Sequence, residues 1–194
     1  IINYVMLKKY QIVGIDEVGR GPIAGPIVSV AIALDELYIP SFINDSKKMT
    51  KIQREKVYKY VKDMGTQYGI GHCSSQEIDQ LNIHQANLLC MERAYKNLKV
   101  KNCKVYIDGV FMPNIEDEAF AIKSGDKLIP IISLASVIAK VERDNLMDSI
   151  HKEFPMYGFD SNKGYCTKAH VENLNKYGPC IYHRKSFEPV NSLC

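Results

Sequence analysis

Two adjacent carboxylates close an apolar, strand-like run. QIVGI leads into Asp16-Glu17-Val18-Gly19-Arg20-Gly21-Pro22. Two acids at the end of a buried strand are costly unless positive charge neutralises them. Glycines just after them let backbone approach a ligand closely. Acid pair, arginine and flexible backbone together point to a place where metal ions meet a phosphate. Two more acids follow strand-like segments, Asp108 in YIDG and Asp126 in SGDK. An all-oxygen donor set favours Mg²⁺ or Mn²⁺ over zinc. A pair of such ions ~3.5–4 Å apart activates water on one side of a phosphodiester and stabilises the leaving oxygen on the other. Each acid also has a plainer reading, because an aspartate after a strand is commonly a turn or helix-capping residue. Asp126 taken alone reads that way, and Asp108 before glycine fits either role. Asp16 and Glu17 favour chemistry, because a turn has no use for adjacent acids. Arg20 serves either as their counter-ion or as a substrate contact, and its glycine neighbours favour contact.

The bulk composition frames this site. The 194 residues suit one sizeable domain, with 46% hydrophobic and 24% charged residues as in ordinary globular proteins. The net charge of +3 is compatible with a polyanionic partner. Acids gathered around metal would leave the remaining surface more basic than that total. No apolar run is long enough for a membrane span, and the N-terminal residues lack the order of a signal peptide, so a cytoplasmic protein is expected. The six cysteines are widely spaced without CxxC, which reads as reduced thiols rather than a disulfide framework. The five histidines show neither HxxxH nor HxH, which argues against a zinc hydrolase.

The elements that must position the acids follow from periodicity and turn chemistry. Strands are expected over 11–16, 26–34, 66–73, 104–109 and 119–123. GRGPIAGP is turn-rich, and 44–50 (NDSKKMT) is a polar loop. Thr50 with Gln53, and Ser74 with Glu77, have capping-box spacing. The first box opens a helix to about Met64, stopped by Gly65. The second opens a short helix, with a longer one over 82–98. A helix apolar nearly all round is expected over 131–141, becoming amphipathic to Phe154, and a last helix over 167–177. The order β–β–helix–β–helix–helix–β–β–helix–helix predicts an α/β fold with a mixed sheet and helices on its faces. If the first and fourth strands run parallel as neighbours, Asp16 and Asp108 stand side by side.

These motifs together resemble ribonuclease HII, the bacterial type 2 ribonuclease H. GIDEVGRGPIAGPIV (14–28), NDSKKMT (44–50), EIDQLNI (77–83), YIDG (106–109), KSGDKLIPIISLASVIAKVERD (123–144), KGYCTKAH (163–170) and HRKSFEPV (183–190) follow in the family's order at similar spacing. The resemblance covers essentially the whole chain. It implies the ribonuclease H-like fold, a five-stranded mixed sheet flanked by helices. It also implies one catalytic domain, with a small C-terminal helical region at about 155–194 that helps hold substrate. Asp16, Glu17, Asp108 and Asp126 become the catalytic, metal-holding set. The family cleaves RNA in RNA–DNA hybrids and nicks 5′ to single ribonucleotides in duplex DNA, leaving 3′-hydroxyl and 5′-phosphate ends. That activity serves ribonucleotide excision repair and primer removal.

Only the 2′-hydroxyl marks a ribose within DNA. The resemblance assigns its reading to Gly19, Arg20 and Gly21, and to Tyr165, which also stacks on the following deoxyribose. Ser46, Lys47 and Lys48 are expected on backbone phosphates, as are Lys163, Arg184, Lys185 and Ser186. Such contacts position a duplex without reading sequence. Asp144 is expected outside the metal site, paired with Lys140 or serving Arg20 or a lysine. A monomer is expected, with no clamp-binding tail after HRKSFEPV, and the short segment before the first strand favours type HII over HIII. Rival readings are another metal-dependent nuclease of the superfamily, which would lack GRG together with KGY; a duplex binder without catalysis; and a small-molecule phosphatase.

Overall fold

The computed structural model describes residues 11–35 and 49–194. Strands β1 (Gln11–Val18), β2 (Ile27–Asp35), β3 (Tyr68–Cys73), β4 (Cys103–Asp108) and β5 (Glu118–Ile122) form one sheet in the order β3-β2-β1-β4-β5. β1 lies at its centre, antiparallel to β2 and parallel to β4. β3 extends the antiparallel side and β5 the parallel side. The expected mixed sheet is therefore present, and its first and fourth strands are parallel neighbours.

Alternation along β1 sorts its side chains onto two faces. Val13 and Ile15 join Val105 and Ile107 against Met91 and Ala94 of helix α2 (Ser75–Leu98). Ile12 joins Val30 and Ile32 against Ile131, Leu134 and Ile138 of helix α4 (Pro130–Glu153). Gly14 shares that second face. A Cβ there would stand 2.3 Å from the carbonyl oxygen of Ile131, so only glycine lets the first turn of α4 lie directly on the strand. Asp16, two residues further on, is thereby carried to the same helix.

The caps form as the sequence predicts. Thr50 and Gln53 close a capping box on α1 (Lys51–Asp63), and Ser74 and Glu77 close another on α2. The expected division between a short and a longer helix appears as a break inside α2. Asn82 leaves helical geometry (φ 64°, ψ 162°) and its side-chain oxygen accepts from the backbone N–H groups of His84 and Gln85 at 2.9 and 3.1 Å. The short helix α3 (Gly125–Leu128) follows β5, and α4 is buried on every side from Ile131 to Ala139. After α4 come α5 (Phe159–Asn162) and α6 (Lys168–Tyr177). They pack with the C-terminal residues over the loop between β1 and β2. Ala24 sits against Tyr157 and Phe159, Ile23 against Leu174 and Val190, and Ala24 bridges to His183.

Candidate active site

The parallel register pairs Ile15 with Ile107, so Asp16 and Asp108 emerge together where both strands end. Oxygens of Asp16, Glu17 and Asp108 all lie within 4.8 Å of one another. They line a cavity of ≈ 340 Å³ shared with Asp126, Arg54, Ser136, Lys140 and Tyr165. Asp126 sits in the first turn of α3, buried, with its backbone N–H 3.3 Å from an Asp108 oxygen. It borders the cavity but stands outside the 4.8 Å group.

Asp16 is 3% exposed. Burial pushes its carboxyl well above the ordinary range, and the charges of Glu17 and Asp108 push it further. The Ser136 side chain and the Glu17 N–H, which donates at 2.7 Å, act in the opposite sense. Burial raises Glu17 as well, opposed by the Arg20 guanidinium 3.6 Å away. Lys140 brings a cation to the cavity, but its ammonium is 2.6 Å from Asp144. Asp144 thus takes the place of an ion-pair partner on its own helix, one of the alternatives expected for it. Three carboxylates cluster here, and their all-oxygen chemistry fits a hard divalent cation.

Of the expected recognition elements, Tyr165 lines this cavity, and Gly19, Arg20 and Gly21 follow directly on Val18 at its edge. Gly19 has φ +98°, and a Cβ there would lie 2.2 Å from the Arg143 Nε atom, so both conformation and space demand glycine. The Arg20 side chain is half exposed beside Glu17. A Cβ on Gly21 would be 3.9 Å from the ring of Tyr165, and Tyr165 is itself 43% exposed at the cavity. The loop over 19–21 and Tyr165 are thus neighbours across the mouth of the site.

The expected phosphate contacts divide. Ser46, Lys47 and Lys48 lie outside the described residues. Arg184 requires a correction, because its side chain is fully buried beneath the loop. It donates to the carbonyl oxygens of Gly19 (2.6 Å), Arg20 (2.9 Å) and Gly25 (2.8 and 3.0 Å), so it supports the loop from below instead of meeting a phosphate. Ser186 is exposed, with its hydroxyl donating to Asp79 at 2.6 Å. Asp79 also accepts from the backbone N–H groups of Lys185 and Ser186, both at 2.9 Å, and so fastens this turn to α2. The Lys163 ammonium donates to Asp148.

Sequence reasoning did not single out Arg143, Arg54 or Asp79. Arg143 is the counterpart of Arg184: fully buried, it donates to the carbonyls of Pro26 (3.0 Å), Lys163 (2.9 Å) and Ala24 (3.3 Å). Burial lowers the pKa of both guanidiniums, yet backbone carbonyls accept their N–H groups in place of carboxylates. Position on α4 gave one usable signal, since a charged residue on a helix otherwise apolar toward the sheet must find partners inside.

Comparison with known proteins agrees with this geometry. The ribonuclease HII family model matches residues 13–190. Ribonuclease HII of Desulforamulus reducens is 44% identical over 180 residues, covering 93% of this chain and 91% of that protein. Ribonuclease HII of Delftia acidovorans is 45% identical over 179 residues, covering 92% and 76%. Among solved structures, ribonuclease H2 of Pyrococcus horikoshii superposes with a TM-score of 0.80 at 26% identity, covering 94% of this chain and 96% of that one.

Proposed function

Since this chain belongs to the ribonuclease HII family, metal-dependent endoribonucleases of the ribonuclease H-like fold that act on RNA–DNA substrates, we propose that it cuts on the 5′ side of ribonucleotides, in hybrids and singly embedded in duplex DNA. The products are 3′-hydroxyl and 5′-phosphate ends, suited to ribonucleotide excision and primer removal. The observation carrying this reading is that the loop over 19–21 and Tyr165 meet at the rim of the cavity that holds Asp16, Glu17 and Asp108.

In this reading Asp16, Glu17 and Asp108 hold Mg²⁺ or Mn²⁺, with Asp126 beside them. When bound, such ions lower the pKa of water and offset charge on a transferring phosphate. The chain's own part is positioning. Ser136 and the Glu17 N–H orient the Asp16 carboxylate. Arg20 restrains Glu17 and offers its exposed guanidinium to the substrate. Glycine backbone at 19 and 21 can enter a minor groove. The Tyr165 hydroxyl can bond the 2′-oxygen while its ring stacks on the next sugar. Ser186 and the C-terminal helical region steady the duplex, with Ser46, Lys47 and Lys48 on its phosphates.

The test is cleavage of a labelled DNA duplex containing one ribonucleotide, with Mg²⁺ or Mn²⁺ and with chelator, beside an all-DNA duplex. The expected result is one metal-dependent nick 5′ to the ribonucleotide and none in DNA alone. Equal cutting of both duplexes would sink the recognition role of Gly19, Arg20, Gly21 and Tyr165. Asp16→Asn is expected to stop cleavage while duplex binding persists; binding without cleavage by the unaltered chain would favour a non-catalytic binder.

A further inference from the structure

Behind Tyr165, away from the carboxylates, two buried histidines meet. His170 is fully buried and His183 is 2% exposed, and their Nε2 atoms are 3.1 Å apart. His170 Nδ1 lies 2.8 Å from the Tyr165 carbonyl oxygen. At the other end, His183 Nδ1 accepts the backbone N–H of Cys180 at 3.0 Å. These contacts admit one arrangement of protons for two neutral rings. A ring nitrogen that accepts an N–H carries no proton, so His183 is protonated at Nε2. That N–H donates to His170 Nε2, which leaves the His170 proton on Nδ1, donated to the Tyr165 carbonyl. The relay runs Cys180 N–H to His183 to His170 to Tyr165 with every polar atom satisfied.

We propose that His170 and His183 are positioning residues for Tyr165, fixing the angle at which its ring stands over the substrate loop; this rests on the reading of Tyr165 as a substrate contact. The local geometry favours such a role. Tyr165 follows Gly164, which has φ +83° and where a Cβ would stand 2.2 Å from the Ala24 carbonyl oxygen. The Gly164 carbonyl accepts the N–H groups of Ile23 and Ala24 at 2.9 and 3.2 Å, tying this segment to the loop after β1. The Tyr165 carbonyl also takes the Thr167 N–H at 2.8 Å, and Thr167 caps α6, whose first turn contains His170. One carbonyl thus joins the tyrosine, the helix start and the histidine pair. His183 directly precedes Arg184, whose guanidinium holds the opposite side of the same loop. The groups facing the pair are uncharged or turned away. Tyr157 and Phe159 cover the rings edge-on at 4.7 and 5.3 Å, with the Tyr157 hydroxyl donating to the Gly178 carbonyl at 2.7 Å. The Cys180 sulfur is 3.2 Å from His183 Nδ1. Burial lowers the pKa of both rings, in keeping with a neutral pair.

The first measurement needs no variant. Long-range ¹⁵N–¹H correlation spectra of the unaltered protein are expected to show His170 protonated at Nδ1 and His183 at Nε2. The opposite tautomers, or a charged ring at neutral pH, would overturn the proposal. The second compares His170→Asn, whose amide nitrogen can replace Nδ1, with His170→Gln, whose amide reaches only the Nε2 position. The readout is the ratio of kcat/KM on a single-ribonucleotide duplex to that on a long RNA–DNA hybrid. Loss of one orienting hydrogen bond is expected to lower that ratio about tenfold in His170→Gln, with His170→Asn staying within about twofold of the parent. Equal losses on both substrates in both variants would mean a purely structural pair and overturn the proposal. Tyr165→Ala, run alongside, separates the two readings. A changed ratio there with an unchanged His170→Gln sinks the histidine role alone, whereas an unchanged ratio in Tyr165→Ala sinks the tyrosine reading and the proposal with it.

Discussion

A buried guanidinium that meets backbone carbonyls holds the loop over 19–21 in place. Arg184 spreads its donors over the carbonyls of Gly19, Arg20 and Gly25, a geometry that depends on a planar fork. Lysine keeps the charge but concentrates its donors on one atom, so Arg184→Lys leaves at least one of these buried carbonyls unpaired. The expected cost is about 2–4 kcal/mol of stability, read as a lowered urea midpoint with unchanged slope, together with weaker cleavage of the single-ribonucleotide duplex. A midpoint matching that of the parent would remove Arg184 from this role. Nothing in HRKSFEPV announces that its arginine turns inward, since a basic run reads as solvated surface until the tertiary path is known. The carboxylates were legible for the opposite reason. Acids at strand ends carry their placement in the local sequence, and Asp16, Glu17 and Asp108 do converge. Asp79 and the histidine pair stayed hidden because their partners lie about a hundred residues away, or across the α6 turn.

At the scale of elements, the site depends on how closely α4 sits on β1. The Gly14 backbone is ordinary extended strand, and what glycine supplies there is space, with the Ile131 carbonyl 2.3 Å from where a Cβ would stand. Backbone cannot swing aside as a side chain can. Gly14→Ala is therefore expected to destabilise the protein by about 2–4 kcal/mol. Because α4 also carries Ser136 and Lys140 into the cavity, the variant that remains folded should need more Mn²⁺ for half-maximal cleavage. Thermal unfolding and a metal titration check the two parts, and a variant unchanged in both would show that the helix can ride higher without consequence. The elements themselves were largely readable. Thr50 and Ser74 declared helix starts through their capping partners, and alternating Val and Ile declared the strands. Local sequence does not encode which face of β1 receives α4 and which receives α2. Gly14 makes room for α4, as Gly69 and Gly71 make room for α2, and an isolated strand glycine reads equally well as a bulge or a close approach.

At the scale of the molecule, the distribution of charge matters more than its sum. A net charge of +3 includes a carboxylate group whose oxygens crowd within 4.8 Å. A divalent cation that binds the folded chain and not the unfolded one must raise the melting temperature, and more so as its concentration exceeds Kd. Mn²⁺ is expected to do so for the parent and to lose most of that effect in Asp16→Asn; an equal shift in both would place the ion elsewhere. Acid acts through the histidine pair. His183 is depressed to about 4 by burial, then by His170, and His170 is depressed by burial. Between an unfolded value of ~6.5 and the folded value, the unfolded chain takes up protons that the folded chain refuses. Stability from the pair is complete above that window and declines as pH falls through it, by up to about 3 kcal/mol for His183. Asp16 and Glu17, raised by burial, work in the opposite sense, because their folded forms gain protons first as pH falls. Glu77, held low by Arg93, loses its contribution only below the ordinary carboxylate range. Urea unfolding from pH 7.5 to 5 in an Asp16→Asn, Glu17→Gln background, where both opposing carboxyls are gone, reads the histidines. The midpoint is expected to fall with pH there and to flatten when His170→Asn and His183→Asn are added. A pH-independent midpoint in the first background would mean that the folded rings take up protons as readily as the unfolded chain does, and a midpoint that rises as pH falls would mean that they already carry a proton in the folded protein.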